Sequence, residues 1–254
     1  MTLINLLIFL PTKTINTTNP LFIYLPGMDG SGKLLKSQTQ IWQNFDVRCL
    51  AIPPHYGIEW QELTQQLITL IQQLLKLNNN REIYLCGESF GGCLALKLME
   101  KMPNFFTKVI LVNSASAFHQ RPWLNFGTYI TQIMPDFIYR NSTLLLLPFL
   151  AKIEALTMKE RQRLLNVMTL LPPNIVSWRI NLLEKFAINQ HKLKQYEKEV
   201  LIIAGGEDKL LPSVEEATRL KSIFSQAKIS ILTHSGHCCL LEKNVDLCKI
   251  ITES

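Results

Sequence analysis

Along the chain, short runs of branched and aromatic residues alternate with longer runs whose apolar positions recur every three or four residues. The short runs from Leu21 to Pro26, Val47 to Ile52, Glu82 to Gly87, Val109 to Asn113, Val200 to Ala204 and Ile229 to Thr233 predict strands. Between them, Leu63, Leu67, Leu70, Ile71, Leu74 and Leu75 mark an amphipathic helix from Trp60 to Leu77. Further helices are expected from Gly91 to Met102 and from Val214 to Phe224. Such alternation predicts an α/β architecture, a mostly parallel sheet with helices on both faces. It lapses from Ser114 to Glu199, where helical patterns follow one another between Pro135, Pro148 and the pair Pro172-Pro173. That segment reads as a helical insertion.

With 254 residues, 47% of them apolar, the chain can build one large core, so a single domain over 1–254 with the insertion at 114–199 is expected. No repeat or low-complexity tract points elsewhere. The opening apolar run from Ile4 to Leu10 is too short to span a bilayer, and its first basic residue, Lys13, follows the run. Neither a secretory signal nor a transmembrane helix is therefore expected, and the six cysteines read as free thiols of a reducing interior. None of them forms a C-x-x-C pair, so no metal site is expected. From His119 to Lys198 there are 11 Lys and Arg against 5 Asp and Glu, which accounts for the whole net charge of +6. No nucleic-acid motif accompanies this excess, and anionic lipid headgroups are the better match.

Gly87-Glu88-Ser89-Phe90-Gly91 fits G-x-S-x-G and lies between a predicted strand and a predicted helix, the context this motif requires. A strand turning directly into a helix leaves no room for side chains at the flanking positions, hence the glycines. It also presents the serine hydroxyl at a helix N-terminus, where partial positive charge favours a developing anion. This is the nucleophile elbow of the α/β-hydrolase fold. Serine needs a base and a group to orient that base. His237, in Ser235-Gly236-His237, follows the last predicted strand, and Asp208, in Gly205-Gly206-Glu207-Asp208, follows the one before it. The order Ser, Asp, His is the order of this fold.

His234 lies near the same strand end without the preceding glycine, and His55, His119 and His191 fall in a loop or in the insertion. Glu207 is the second choice of acid, and the strand ending in Asn113 offers no carboxylate. The oxyanion donors are expected to be the backbone N–H groups of Phe90, after the nucleophile, and of Met28, in the loop Leu25-Pro26-Gly27-Met28-Asp29-Gly30. That loop also spells G-x-x-x-x-G-K from Gly27 to Lys33, most of a phosphate-binding P-loop, but Leu34 stands where the magnesium-binding Ser or Thr belongs. No cofactor is expected.

Together, Leu25-Pro-Gly-Met-Asp-Gly-Ser-Gly, Gly87-Glu-Ser-Phe-Gly-Gly-Cys-Leu-Ala-Leu and Glu199-Val-Leu-Ile-Ile-Ala-Gly-Gly-Glu-Asp-Lys-Leu-Leu-Pro-Ser resemble an esterase/lipase/thioesterase family. This family includes the phytyl ester synthases and related diacylglycerol acyltransferases of chloroplasts and cyanobacteria. The resemblance implies acyl transfer from an acyl lipid or acyl carrier to a lipophilic alcohol such as phytol, diacylglycerol or a quinol. It implies an acyl-enzyme on Ser89, and a location in the cytoplasm or plastid stroma, at the thylakoid surface. The plant members carry a second acyltransferase region. No H-x-x-x-x-D motif of that kind follows any histidine here, so transfer is expected to use the serine site. In many enzymes of the fold a lid stands where the insertion falls. Its apolar run, Leu144 to Leu147 with Phe149 and Leu150, beside Lys152, Lys159, Arg161 and Arg163, suits either a membrane-facing lid or one packed on the sheet domain. Carboxylesterase, lipase or thioesterase activity is all that the residues themselves support, and the fold alone also allows a lipid-binding protein that does not use its triad.

Overall fold

The computed structural model describes residues 7–12, 18–54, 57–75, 81–120 and 147–254, the side chains of 119 and 120 excepted. His55, the His119 side chain, Pro135 and the leucines at 144–146 lie outside the described residues. The strands are β1 (Ile8–Phe9), β2 (Leu21–Leu25), β3 (Asp46–Ala51), β4 (Ile83–Glu88), β5 (Lys108–Val112), β6 (Glu199–Gly205) and β7 (Ala227–Leu232). They form one sheet in the order β1-β3-β2-β4-β5-β6-β7, in which every pairing is parallel except that of β1 with β3. The helices are α1 (Thr39–Asn44), α2 (Trp60–Leu75), α3 (Phe90–Lys101), α4 (Met158–Thr169), α5 (Pro173–Glu184), α6 (Gln190–Leu193), α7 (Ser213–Lys221) and α8 (Leu247–Glu253).

Why the central strands read as unbroken apolar runs is evident from their two faces. Successive side chains point to opposite sides of a sheet, and here both sides are covered. Leu21, Ile23 and Leu25 of β2, Val109 and Leu111 of β5, and Val200, Ile202 and Ala204 of β6 enter one core with Leu63, Leu67 and Ile71 of α2, Leu94 and Leu98 of α3, and Leu220 of α7. The residues between them, Phe22, Tyr24, Ile110, Val112, Leu201 and Ile203, face Ile41 of α1 and Leu247 and Ile251 of α8. Each fully buried Leu or Ile contributes roughly 1.5–3 kcal/mol relative to exposure. The edge strand β7 is covered less completely, with half-buried and exposed positions and none fully buried.

The predicted strands recur within one or two residues. Two differences follow from tertiary pairing. Ile8–Phe9 pairs antiparallel with β3, Ile8 against Ala51, a bridge too short to leave a local signal. Glu199, expected to end the insertion, is the first residue of β6, where it pairs with Lys108 of β5. Between β5 and β6 the described residues hold only helical elements, with α5 starting at Pro173, the first-turn position where the missing proline N–H costs nothing.

Candidate active site

Ser89 sits between the end of β4 and the first residue of α3, at φ 52° and ψ −110°, a conformation that non-glycine residues seldom adopt. The surroundings hold it there. Its N–H donates to Val112 O at 2.9 Å, and its carbonyl accepts from Gly92 N at 2.9 Å and Ala115 N at 3.1 Å, extending the β4–β5 ladder past the strand ends. The flanking glycines are needed for close approach. A Cβ on Gly87 would lie 2.4 Å from the Gly91 carbonyl oxygen, and one on Gly91 would lie 2.1 Å from that of Leu25. The second contact also shows α3 seated against the loop that follows β2.

His237 Nε2 lies 3.0 Å from Ser89 Oγ, across 148 positions of sequence, and its Nδ1 lies 2.8 Å from Asp208 Oδ2. Asp208 is fixed in turn by the amides of Leu210 and Leu211, at 2.9 and 3.0 Å, and by the Ser213 hydroxyl. Sequence reasoning placed Ser213 only in a motif, without a role. Burial works against a charged Asp208, but the His237 charge and the hydrogen bonds from His237, Ser213 and Leu211 prevail and hold its pKa below the ordinary value. Burial likewise disfavours the His237 imidazolium, and there the Asp208 charge and hydrogen bond, with the Glu88 charge, raise the pKa above 6.5. The competing residues stand aside. Glu207 and His234 pair with each other at 3.2 Å, His234 being 82% exposed, and His191 lies on the exposed side of α6.

Asn113 has a use the sequence did not suggest. At φ 43°, its side-chain amide donates to the carbonyls of Gly236, at 3.2 Å, and His237, at 2.6 Å, while its Oδ1 accepts from Gly205 N at 2.7 Å. It therefore ties the end of β6 to the histidine loop. A carboxylate could not donate to those two carbonyls.

Next to Ser89 in the chain, Glu88 is 4% exposed and accepts a hydrogen bond from the buried Tyr24 hydroxyl. Burial, helped by the Asp29 charge and opposed by the Tyr24 hydrogen bond and by His237, raises its pKa from 4.5 to about 7. Gly27 faces Ser89, and the turn from Gly27 to Gly30 is closed by Gly30 N donating to Gly27 O at 3.0 Å. Met28 follows Gly27 in that turn, and the Phe90 N–H belongs to the first turn of α3, whose amides have no intrahelical acceptor. The P-loop reading finds no support, because the loop's own groups consume its amides: Ser31 N donates to Asp29 Oδ2 at 2.9 Å and Lys33 N to Ser31 Oγ at 3.1 Å. Lys33 itself points to solvent ahead of a short 3₁₀ turn, Leu34–Ser37. Among the described residues no group of three or more His, Cys, Asp or Glu could hold a metal ion, and all six cysteines are unpaired.

The described residues between β5 and β6 are bonded to the site at more than one point. Cys238 N donates to Leu150 O at 2.7 Å, one residue after His237, and Lys152 meets Glu207 at 2.9 Å, one residue before Asp208. Some of the segment's positive charge is accordingly turned inward or paired: Arg179 is fully buried and Arg163 pairs with Glu160 at 2.5 Å.

A protein-family model, Hydrolase_4, described as serine aminopeptidase S33, matches residues 55–244. Phytyl ester synthase 1, chloroplastic, of Arabidopsis thaliana is 29% identical over 256 residues, covering 91% of this chain and 36% of that protein. Phytyl ester synthase 2, chloroplastic, of the same plant is 30% identical, covering 92% of this chain and 37% of that protein. The chain spans little more than a third of the length of these curated relatives. Among solved structures, the esterase EaEST from Exiguobacterium antarcticum superposes with a TM-score of 0.74 at 18% identity, covering 92% of this chain and 90% of that one. A thermophilic esterase from Thermogutta terrifontis superposes with a TM-score of 0.73 at 18% identity, covering 97% and 92%. At such identities the superpositions speak for the fold, and the family match, over most of the length, speaks for descent. The chain belongs to the Hydrolase_4 family of α/β-hydrolases.

Proposed function

We propose that this chain transfers fatty acyl groups from an acyl lipid or acyl carrier to a lipophilic alcohol, through an acyl-enzyme on Ser89. The observation that carries the proposal is the continuous relay of Ser89, His237 and Asp208, at 3.0 and 2.8 Å, around a serine held at φ 52° on the N-terminus of a helix. In the first half-reaction His237 Nε2 accepts the Ser89 proton as Oγ attacks the acyl carbonyl. The negative charge that forms on the carbonyl oxygen is received by the N–H groups of Phe90 and Met28. His237 returns the proton to the leaving group, and the acyl-enzyme remains. In the second half-reaction His237 takes the proton of the acceptor hydroxyl as its oxygen attacks the acyl carbon, and returns that proton to Ser89 Oγ as the acyl–Oγ bond breaks, which frees the ester and restores the serine. Asp208 stays ionised throughout, keeping Nδ1 protonated and Nε2 basic. Water in place of the alcohol gives ester hydrolysis by the same steps.

A lipophilic alcohol is favoured as acceptor by the relatives, which are named phytyl ester synthases at 29% and 30% identity. The burial of Ser89 and His237, 8% and 4% exposed, supports a site that keeps water from the acyl-enzyme. The insertion at 114–199 serves in this reading as a lid over the acyl chain and as the surface turned toward anionic lipid. A plastid or cytoplasmic location at the thylakoid surface goes with it. The relatives are named chloroplastic, and among the described residues no helix is long and apolar enough to cross a membrane.

The test is to incubate the protein with a long-chain acyl donor, with and without phytol, diacylglycerol or a quinol, and to follow new ester and free fatty acid by mass spectrometry beside Ser89→Ala. The expected result is new ester that disappears in the variant. Free fatty acid alone assigns a hydrolase, and no product from folded protein, with no labelling of Ser89 by a fluorophosphonate, assigns a binding protein.

A further inference from the structure

Arg179 is the largest fully buried side chain among the described residues, and it comes from the segment between β5 and β6. Its Nη1 donates to the carbonyl of Met28 and its Nη2 to the carbonyl of Ile52 at 2.8 Å. Ile52 N in turn donates to Gly30 O at 2.8 Å. The guanidinium thus closes a ring of hydrogen bonds around the turn that carries the Met28 N–H. Gly30 lies directly beneath it: at φ +62° a Cβ there would stand 2.5 Å from both Nη atoms. The helix behind Arg179 is itself anchored, since the Trp178 indole N–H donates to Ile58 O at 3.0 Å and that of Trp60 to Leu182 O at 2.7 Å.

A buried guanidinium is a poor choice for mere packing. Removal from water opposes its charge, the nearby Asp29 carboxylate restores part of it, and the pKa falls to about 10. Its Nε has no hydrogen-bond partner among the described residues. A buried charge is weak evidence for a purely stabilising role. What an apolar residue lacks is the planar fork, whose donors stand at fixed angles and set two carbonyls at once. Turning the Met28 carbonyl toward Arg179 sets ψ of Met28 and, with the Gly30–Gly27 bond, the orientation of the peptide that presents the Met28 N–H.

We infer that Arg179 is a positioning residue for acyl transfer: it reaches from the insertion and holds the loop after β2 so that the Met28 N–H points at the forming oxyanion. This rests on the reading of Ser89 as nucleophile and of Met28 as an oxyanion donor. It also gives the insertion a part in the chemistry beyond covering the site.

The experiment compares the full-length protein with Arg179→Met and Arg179→Lys, with active sites counted by fluorophosphonate titration carried to completion. Three quantities are read: kcat and KM for a p-nitrophenyl acyl ester, and the inhibition constant of a long-chain alkyl trifluoromethyl ketone, whose hemiketal oxygen occupies the oxyanion position. Misplacing one donor lowers kcat per titrated site of Arg179→Met about 30- to 100-fold, with KM changed less than about threefold. The ketone binds weaker by the same factor as kcat falls, and Arg179→Lys, which keeps one donor and the charge, recovers part of both. Unchanged kcat and ketone affinity per titrated site overturn the inference, as does a loss confined to KM or the failure of both variants to fold. Full turnover by Ser89→Ala overturns instead the reading on which it rests.

Discussion

Replacing Glu88 by Gln keeps the shape of the buried side chain and an oxygen for the Tyr24 hydroxyl, and removes one buried ionisable group. In the unfolded chain this carboxyl titrates near 4.5, and in the folded protein near 7. A raised pKa means that folding disfavours the ionised form. The stability that accompanies the protonated group is therefore fully present below about pH 4.5, declines as pH rises, and is lost above about 7. At about 1.4 kcal/mol per pH unit between those two values, the loss amounts to roughly 3 kcal/mol. The Gln variant carries no such penalty, so at pH 8 it should unfold at a higher urea concentration than the parent, and the difference should close toward pH 4.5. Urea titrations followed by tryptophan fluorescence at half-unit steps from pH 4.5 to 8 read this directly. Removing the carboxylate also removes one of the charges that raise the His237 pKa, so the acid limb of kcat/KM should move to lower pH in the variant. Parallel stability curves for the two proteins across that range would refute the reasoning.

In Asp208→Asn the Nδ1 partner and the charge that favours the imidazolium are both altered while the backbone turn survives; kcat for acyl-ester turnover should fall about 10³- to 10⁴-fold with the melting temperature little changed. Asn113→Asp would set a carboxylate against the carbonyls of Gly236 and His237, and both stability, by about 1–3 kcal/mol in urea, and turnover should drop, whereas a role in packing alone would spare turnover of the folded fraction. Leu67→Ala opens a cavity under α2 and should cost about 2–5 kcal/mol of stability at unchanged kcat per titrated site. On the proposed mechanism His237 must be neutral to accept the serine proton, so kcat/KM of the parent should fall as pH drops through its raised pKa, at a higher pH than a free imidazole would give.

Much of this protein is legible in its sequence because the signals are local. Strand and helix periods, the glycines of Gly87-Glu88-Ser89-Phe90-Gly91 and the position of Gly236-His237 after a strand are each read from a few neighbouring residues. With one chain topology in which successive strands end at one edge of the sheet, they also predict which residues meet. Leu63, Leu67 and Ile71 face the core because a helix of that pattern has only one apolar side to bury.

The remaining features depend on contacts no local pattern encodes. Nothing near Arg179 in sequence distinguishes it from the other basic residues of the insertion; only the fold brings it to Met28, 151 positions away, and converts what reads as surface charge into a buried clamp. Asn113 looks like a missing acid until Gly205 N and the carbonyls of Gly236 and His237 surround it. Glu88 reads as the variable position of a motif, and its pKa near 7 arises from burial at the end of the central strand β4, beside Tyr24 and Asp29. The sequence by itself determined the elements and the order of the reacting groups, since these follow from propensity and periodicity. The tertiary structure decided which polar groups are buried together, because desolvation and hydrogen-bond geometry exist only once distant segments have packed.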